Sequence, residues 1–235
     1  MRIFVLTGAG VSAESGLGTF RDKSGTGLWA RFDPMKLATP EAFARDPAAV
    51  HEFYNFRRRN LLDARPNAAH LALARLQREL PAHGGAMTLV TQNIDDLHER
   101  GGARDVVHMH GELLKARCVT CRAIAAQRSD LTAESHCASC RRAGTLRPHV
   151  VWFGETPLFM EDICAALSDA TLFVSIGTSG SVYPAAGFVS HARARGVRSC
   201  EINLMPSDNA SVFDERRYGA ASDVVPAWVS DVLGA

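Results

Sequence analysis

Short apolar runs that stop at small or polar residues recur along the chain and predict the strands of a buried sheet. They are residues 3–6, 87–91, 106–108, 172–176, 199–202 and 224–225. Strands that are apolar on both faces are typical of parallel sheets covered by helices. In such a sheet ligands bind at the carboxyl ends of the strands, where the polar residues of these runs lie. The pattern therefore predicts an α/β fold with a ligand crevice.

Between the first two runs the apolar spacing changes to that of helices. The residues Thr39-Pro40-Glu41 and Asp46-Pro47 predict two helix starts, because proline is favoured at the first helical position. A further helix is predicted from Pro66, and its buried stripe is Ala69, Leu73, Leu76 and Leu80. Residues 31–82 are therefore expected to form a helical insert.

An arginine run occupies residues 57–59 of the second predicted helix. Charge runs are usually solvated faces, and that interpretation is kept for Arg58 and Arg59. Arg57 lies three residues from Tyr54, so both side chains can share one helix face and hold an anion.

A glycine-rich turn, Gly8-Ala9-Gly10, follows the first predicted strand. A strand, such a turn and a helix start form a phosphate cradle, in which Ser12 can donate a hydrogen bond. The sequence of this turn differs from the GxGxxG motif of dehydrogenases, because Ala13 occupies the position of the third glycine. An ordinary turn remains the alternative.

Polar residues with acid/base chemistry follow the next strands. Asn93 and Asp95 come after residues 87–91, and His110 comes after residues 106–108. All three are expected to face one crevice. A histidine that titrates near neutrality beside a carboxylate makes a candidate acid/base site, whereas a core histidine and a helix-capping aspartate are the structural alternative.

Two CxxC pairs are separated by fifteen residues, a spacing that fits a tetrahedral zinc site. The predicted ligands are Cys118, Cys121, Cys137 and Cys140. Four thiolates leave no position for water, so the zinc is expected to be structural. Cys164 and Cys200 lie outside the pattern and are predicted to be buried small apolar residues.

Composition narrows the function classes. The 235 residues carry a net charge of +1, so there is no bulk electrostatic case for nucleic acid or membrane binding. The apolar run at residues 3–6 is too short for a signal peptide or a membrane span. We therefore expect a cytoplasmic protein, in whose reducing compartment paired cysteines favour metal over disulfides.

Taken together, the motifs resemble those of the sirtuins, the NAD-dependent protein lysine deacylases, over nearly the whole chain. The matching segments are Gly8-Ala9-Gly10 through Thr19-Phe20-Arg21, Gln92-Asn93-Ile94-Asp95, His110-Gly111, the CxxC pairs, Phe153-Gly154-Glu155, Gly177-Thr178-Ser179 and Asn203-Leu204. The resemblance implies a Rossmann-like doubly wound parallel sheet with a small domain made of a helical insert and a zinc-binding module. The implied boundaries are 1–30, 83–115 and 146–235 for the NAD-binding domain, 31–82 for the insert and 116–145 for the zinc module.

For the chemistry, the resemblance implies that the acyl oxygen attacks the NAD ribose as nicotinamide leaves. His110 then acts as the general base, while Asn93 and Asp95 line the nicotinamide pocket. The implied products are free lysine, nicotinamide and O-acyl-ADP-ribose. The implied NAD contacts are Gly8, Ala9, Gly10, Ser12, Ala13, Thr19, Phe20, Arg21, Trp29, Gln92, Asn93, Ile94, Asp95, His110, Gly177, Thr178, Ser179, Asn203, Leu204, Met205 and Ala221.

For the substrate, the resemblance implies an acyl-lysine protein or peptide that pairs with Val151, Trp152, Phe153 and Gly154. Tyr54 and Arg57 match the pair with which class III sirtuins hold acidic acyl groups, and Ala38 matches the small residue that widens the acyl pocket. The resemblance thus implies that acetyl, succinyl and malonyl groups are removed from lysine. A monomer is expected. Leu17-Gly18 and Met205 differ from the residues that are common at these positions in the family.

Other functions stay open at this point. An NAD oxidoreductase would produce NADH that absorbs at 340 nm, whereas a deacylase releases nicotinamide. A zinc-ribbon nucleic-acid binder would need a basic stripe, which the net charge does not favour. An ADP-ribosyltransferase, or a plain deacetylase without acidic-acyl preference, would share the cofactor and much of the site.

Overall fold

The computed structural model describes residues 1–18 and 34–234. Its strands are Arg2–Thr7 (β1), Ala86–Thr91 (β2), Val107–His108 (β3), Gly111–Cys118 (β4), Ile124–Ala126 (β5), Leu146–Val150 (β6), Leu172–Ile176 (β7), Arg198–Asn203 (β8) and Glu215–Tyr218 (β9). Its α-helices are Pro34–Leu37 (α1), Pro40–Arg45 (α2), Pro47–Asp63 (α3), Ala68–Glu79 (α4), Leu97–Arg100 (α5), Met160–Ser168 (α6), Phe188–Ala194 (α7) and Ala221–Leu233 (α8).

Within the described residues, six strands form a parallel sheet in the order β3-β2-β1-β7-β8-β9. Counted within this sheet alone, that is the Rossmann order 3-2-1-4-5-6. The chain therefore has the expected Rossmann-like fold, and its topological switch point lies between β1 and β7.

Helices cover both faces of the sheet, because successive side chains of a strand point to opposite faces. Ile3 and Val5 of β1 pack into one core together with α4 and α8. Phe4 and Leu6 pack into a second core together with α6 and α7. The doubly wound arrangement thus follows from the unbroken apolar run of β1.

The stripe predicted for α4 is confirmed, since all of its members are almost fully buried. They are Ala69, Leu73, Leu76 and Leu80. This helix packs against α8 beside the large sheet. The domain boundaries stay a prediction, and we propose from this packing that the helical insert ends near residue 64.

The other predicted helix starts are also confirmed by their caps. Thr39 Oγ1 accepts a hydrogen bond from the Ala42 N–H at 3.0 Å, and Asp46 Oδ1 accepts one from the Ala49 N–H at 3.0 Å. Each cap satisfies an N–H group that has no partner inside its helix. The resulting helices, α2 and α3, pack on an antiparallel sheet of order β5-β4-β6, which completes the small domain in the described part of the chain.

Helix α3 is bonded to the zinc module through a buried amide. Asn55 Nδ2 donates to the Leu131 carbonyl at 2.8 Å, and Asn55 Oδ1 accepts from the Leu131 N–H at 2.9 Å. Arg58 also donates to Asn55 Oδ1, at 2.7 Å, and to the Leu113 carbonyl at 3.3 Å. The prediction of a solvated Arg58 is therefore wrong, because Arg58 is fully buried and two of its guanidinium nitrogens donate to acceptors at the domain junction. Arg59 is exposed as predicted and pairs with Asp130.

Two further expectations on secondary structure are wrong. Residues 224–225 lie inside α8, where Val225, Trp228 and Val229 are buried at helical spacing, and the last strand is β9. The segment expected to be extended over residues 150–153 leaves its strand at Val150 and enters a turn, in which Gly154 has a φ of 88°. Between residues 34 and 234, and in residues 1–18, no helix is long and apolar enough to cross a membrane.

Replacing Asn55 by Leu should weaken the junction of α3 and the zinc module. The variant leaves the buried N–H and C=O groups of Leu131 without partners, so we expect the free energy of unfolding to fall by about 2–4 kcal/mol. Urea unfolding with zinc present measures this. The matched control is Asn60→Leu on the exposed side of the same helix, which should change stability by about 0.5 kcal/mol or less. Equal stability of the two variants would contradict the assignment.

Candidate active site at the topological switch point

Two glycine turns meet where β1 and β7 end. The Gly8 N–H donates to the Ile176 carbonyl and the Gly10 N–H donates to the Gly177 carbonyl, both at 2.9 Å. A Cβ on Gly10 would lie 2.7 Å from Gly177 Cα, so a side chain there is excluded by backbone. The glycines are thus required by this contact, and the chain continues as short 3₁₀ turns, Ala9–Val11 and Ala13–Ser15, instead of the expected helix.

Ser12, Asn93 and Asp95 meet in one buried hydrogen-bond network. The Ser12 hydroxyl donates to Asp95 Oδ2 at 3.1 Å and accepts from Asn93 Nδ2 at 3.2 Å. Asn93 Nδ2 also donates to the Gly8 carbonyl at 3.1 Å. The structure therefore brings the predicted crevice residues together. The hydroxyl proton of Ser12 is donated to Asp95, so it is not available for a phosphate.

His70 completes this network and was missed in the sequence. His70 Nδ1 lies 3.2 Å from the Asn67 backbone nitrogen and 3.1 Å from Asn67 Oδ1, and His70 Nε2 lies 3.3 Å from Ser12 Oγ. Burial lowers the pKa of His70 to about 4, so the ring is neutral at neutral pH. The available signal was the spacing of Asn67 and His70, since this pair forms a capping box at the start of α4.

Two further buried histidines, His98 and His108, pack beside this network. His98 Nε2 lies 2.9 Å from Thr7 Oγ1, and its ring packs edge-on against His70. His108 Nε2 lies 2.7 Å from Glu99 Oε1, and its Nδ1 lies 3.2 Å from the Asn93 carbonyl. Burial opposes a charge on His108, but the hydrogen bond and charge of Glu99 outweigh it and raise the pKa of His108.

His110 follows β3 at the carboxyl edge of the sheet and is half-buried, with one ring nitrogen fixed. Its Nδ1 is 3.0 Å from the Gln92 carbonyl, which can only accept, so Nδ1 carries the proton and Nε2 keeps a lone pair. Burial lowers the pKa of His110, and the ring is therefore neutral near pH 7. Gly111 follows with a φ of 80°, and a Cβ there would lie 2.2 Å from the His149 carbonyl oxygen. This contact fixes the backbone beside His110.

Two of the predicted acyl-binding residues, Ala38 and Tyr54, lie in one apolar cluster with Trp152. Tyr54 is 3% exposed and Ala38 is 6% exposed. The guanidinium carbon of Arg57 lies 5.8 Å from the centroid of the Tyr54 ring. Burial lowers the pKa of Arg57, while Tyr54 and Asp95 act in the opposite direction. Arg57 is therefore within electrostatic reach of both Tyr54 and Asp95.

The segment expected to pair with a peptide already uses its backbone donors. The Val151 N–H donates to the His110 carbonyl at 2.8 Å, and the Phe153 N–H donates to the Ala38 carbonyl at 2.9 Å. The Trp152 N–H donates to Glu155 Oε2 at 2.9 Å. Strand addition through these N–H groups would require breaking the bonds, so a bound peptide must use other groups of the loop.

Most of the other predicted NAD contacts lie at the carboxyl edge of the sheet. Asn203 Nδ2 donates to the Thr178 carbonyl at 2.8 Å, which joins the ends of β8 and β7. Leu204 is 70% exposed and Met205 is 47% exposed. Ala221 begins α8, whose next residue, Ser222, donates to Glu14 in the loop after β1. The remaining residues at this edge are Ala9, Ala13, Gln92, Ile94, Gly177 and Ser179. Thr19, Phe20, Arg21 and Trp29 lie outside the described residues.

The four predicted metal ligands converge at one end of the small sheet, with all sulfur atoms within 4.8 Å of one another. Sγ of Cys118 lies 3.7 Å from that of Cys140, and Sγ of Cys121 lies 3.6 Å from that of Cys137. Tetrahedral zinc with bonds of about 2.3 Å places its sulfur ligands about 3.8 Å apart, so the cluster fits zinc. The Cys121 N–H lowers the pKa of Cys118 to about 5, which favours the thiolate.

The two cysteines outside the cluster differ. Cys200 is buried as predicted, and burial raises the pKa of its thiol to about 12. Cys164 is exposed on α6, so the prediction that it is buried is wrong. Ile163 and Leu167 supply the buried face of this short helix, and Cys164 points away from it.

Comparison with known proteins gives consistent results. The model of the Sir2 family matches residues 8–184. An NAD-dependent protein deacylase of Caulobacter vibrioides is 62% identical over 233 residues, covering 99% of this chain and 97% of that protein. A protein of the same name from Vibrio cholerae is 55% identical over 235 residues, covering 99% of this chain and 94% of that protein.

Solved structures agree over nearly the same span. A complex of a Sir2 homologue with NAD superposes with a TM-score of 0.85 at 39% identity, covering 98% of this chain and 89% of that chain. A Sir2 complex with a p53 peptide and NAD⁺ superposes with a TM-score of 0.79 at 27% identity, covering 99% of this chain and 93% of that chain.

The cysteine cluster predicts one Zn²⁺ per chain that supports folding, because binding at such a site contributes directly to folding. Elemental analysis of the purified protein measures the stoichiometry. Replacing Cys118 by Ser should lose the metal and most of the soluble protein, whereas Cys164→Ser on the exposed face of α6 should retain both. Folded protein without zinc would contradict the assignment.

Proposed function

The chain belongs to the Sir2 family, and we propose that it removes acyl groups from protein lysines with NAD as co-substrate. The reaction consumes one water molecule, and the products are free lysine, nicotinamide and O-acyl-ADP-ribose. The observation that carries the proposal is the buried Ser12, Asn93 and Asp95 network beside a neutral His110 at the switch point. This combination supplies amide recognition and a proton acceptor in one crevice.

The crevice fits a dinucleotide by its position and its polar groups. Parallel sheets bind dinucleotides where the strand order reverses, and the glycine turns meet at that point. Bound NAD supplies the ribose carbon that the acyl oxygen attacks while nicotinamide departs. We propose that Asn93 and Asp95 orient the nicotinamide amide, since a carboxylate accepts from an amide N–H and the Asn93 side chain is locked by Gly8 and Ser12.

His110 is the proposed general base. With its Nδ1 proton held by the Gln92 carbonyl, its Nε2 lone pair can take a proton from a ribose hydroxyl. Because burial lowers the pKa of His110, the required neutral form dominates near pH 7. The predicted contacts of the outer rim, including Asn203, Leu204 and Met205, remain part of the proposal.

Tyr54 and Arg57 are proposed to admit acidic acyl groups. The carboxylate of a succinyl or malonyl group must leave water to enter the pocket, which is unfavourable without a partner. The half-buried Arg57 guanidinium lies 5.8 Å from the centroid of the buried Tyr54 ring, and the guanidinium and the Tyr54 hydroxyl can supply donors for the carboxylate. Ala38 leaves room beside them. We therefore propose desuccinylation and demalonylation alongside deacetylation.

The remaining parts of the proposal concern location and partners. The substrates are acyl-lysine proteins or peptides. A four-thiolate site needs a reducing compartment, which supports a cytoplasmic location. A single chain supplies both the crevice and the acyl pocket, which supports action as a monomer.

Mass spectrometry of acetyl-, succinyl- and malonyl-lysine peptides, with and without NAD, tests the proposal directly. We expect unmodified lysine, nicotinamide and the matching O-acyl-ADP-ribose only when NAD is present. ADP-ribose attached to the peptide or the enzyme would favour ADP-ribosyl transfer instead. Reaction of the acetyl peptide alone would leave a plain deacetylase.

Replacing His110 by Ala should largely abolish deacylation of every peptide, because a positioned general base contributes about 10²- to 10⁴-fold. The pH profile of the wild type gives a second measurement. The active form is neutral and the pKa of His110 is lowered from 6.5, so kcat/KM should fall only as the pH drops below 6.5. A variant with unchanged circular dichroism that keeps more than about a tenth of kcat would place the base elsewhere.

Replacing Arg57 by Met should reduce kcat/KM for succinyl-lysine at least about tenfold, because charged hydrogen bonds contribute roughly 1.5–3 kcal/mol. The loss for acetyl-lysine should be much smaller. Arg59→Met is the matched control, since Arg59 lies on the exposed face of the same helix and pairs with Asp130. Equal losses on both peptides, or no loss on either, would contradict the acyl assignment.

A further inference from the structure

The Trp152 indole is bonded to one of the proposed acyl-binding groups. Its Nε1–H donates to the Tyr54 hydroxyl at 2.9 Å. Trp152 is 2% exposed and Tyr54 is 3% exposed, so water does not compete for this bond. The Trp152 side chain therefore lies behind the acyl pocket rather than on the surface that would meet a peptide backbone.

This bond determines what the Tyr54 hydroxyl can do. A phenol has one proton to donate and accepts through its oxygen. The indole N–H can only donate, so the Tyr54 oxygen is the acceptor and its own proton is directed elsewhere. A hydroxyl that accepts one hydrogen bond also becomes a stronger donor for the next. Trp152 thus prepares Tyr54 to donate.

The indole is held in place by the ion pair of the buried Arg147 and the partly buried Glu155. The guanidinium carbon of Arg147 lies 3.2 Å from the centroid of the Trp152 ring. Arg147 donates to both carboxylate oxygens of Glu155, at 2.8 and 2.9 Å, and Glu155 accepts from the Trp152 N–H. Ring and backbone of Trp152 are fixed by the same pair of charges, so the indole N–H has little freedom to turn away from Tyr54.

We propose that Trp152 is a positioning residue for acidic acyl groups, which aims the Tyr54 hydroxyl proton at the distal carboxylate of the acyl chain. This inference rests on the proposed function of Tyr54 and Arg57. An acetyl group carries no distal carboxylate and gains nothing from the aimed proton. The contribution of Trp152 should therefore affect the choice between acyl groups and operate through Tyr54.

The test compares kcat/KM for succinyl-lysine and acetyl-lysine peptides in Trp152→Phe, Tyr54→Phe and the double variant. A phenylalanine ring in place of the indole cannot donate, and a neutral hydrogen bond corresponds to roughly a fivefold change, so the succinyl-to-acetyl ratio should fall about fivefold in W152F. Tyr54→Phe should lower the ratio at least as much. Because Trp152 operates through Tyr54, the double variant should have the ratio of Y54F.

Two further variants separate the hydrogen bond from packing. Replacing Trp152 by benzothienylalanine keeps the ring size and exchanges the N–H for sulfur, so the ratio should fall as in W152F even if the phenylalanine variant folds poorly. Trp228→Phe is the control, since Trp228 is similarly buried but lies on α8 in the core of the large sheet. It should lower stability and leave the ratio unchanged.

The outcomes are distinct. An unchanged ratio in W152F and in the benzothienylalanine variant, or ratio losses that add in the double variant, would overturn the positioning role while leaving the acidic-acyl proposal intact. Wild-type protein that removes only acetyl groups would overturn the acidic-acyl proposal and this inference with it.

Discussion

The buried carboxylate of Asp95 is the constraint on which the arrangement of the site depends. Asp95 is 7% exposed, and burial raises the pKa of its carboxyl group. A carboxylate removed from water must be compensated by donors and by opposite charge. The Leu97 N–H and the Ser12 hydroxyl donate to it, and the charge of Arg57 acts on it from α3. These groups come from separate parts of the chain, so the environment of Asp95 is complete only when the loops of the large sheet and helix α3 are assembled together.

The same dependence explains the buried polar groups of the small domain. Arg58 and Asn55 are almost completely buried, yet they mainly satisfy backbone groups of Leu131 and Leu113. Such bonds add little net stability when formed, but breaking one leaves a buried partner unsatisfied. They therefore select one orientation of α3 against the zinc module. Because Tyr54 and Arg57 lie on this helix, that orientation also sets the shape of the acyl pocket.

The sequence predicted those features whose cause is local. Apolar runs located most strands of the large sheet, helix caps located α2 and α3, and the CxxC spacing located the metal cluster. Features that depend on distant partners were not predictable. The buried Arg58 donates to the carbonyl of Leu113, 55 residues along the chain, and the role of His70 depends on Ser12, which lies 58 residues away. Residues 224–225 form an apolar pair that is typical of a strand. They lie in a helix, because Val225, Trp228 and Val229 together form the buried face of α8.

The loop at residues 151–155 is bonded both to the proposed general base and to the proposed acyl-binding residues. Its Val151 N–H bonds to the carbonyl of His110, and its Phe153 N–H bonds to the carbonyl of Ala38. Between them, Trp152 bonds to Tyr54, while Glu155 closes the loop through Arg147. A displacement of this loop would therefore move the proposed general base and the proposed acyl pocket together. The proposed base and the proposed acyl wall are thus held at a fixed separation by the backbone of one short segment, which is what a reaction between a ribose and a buried acyl group requires.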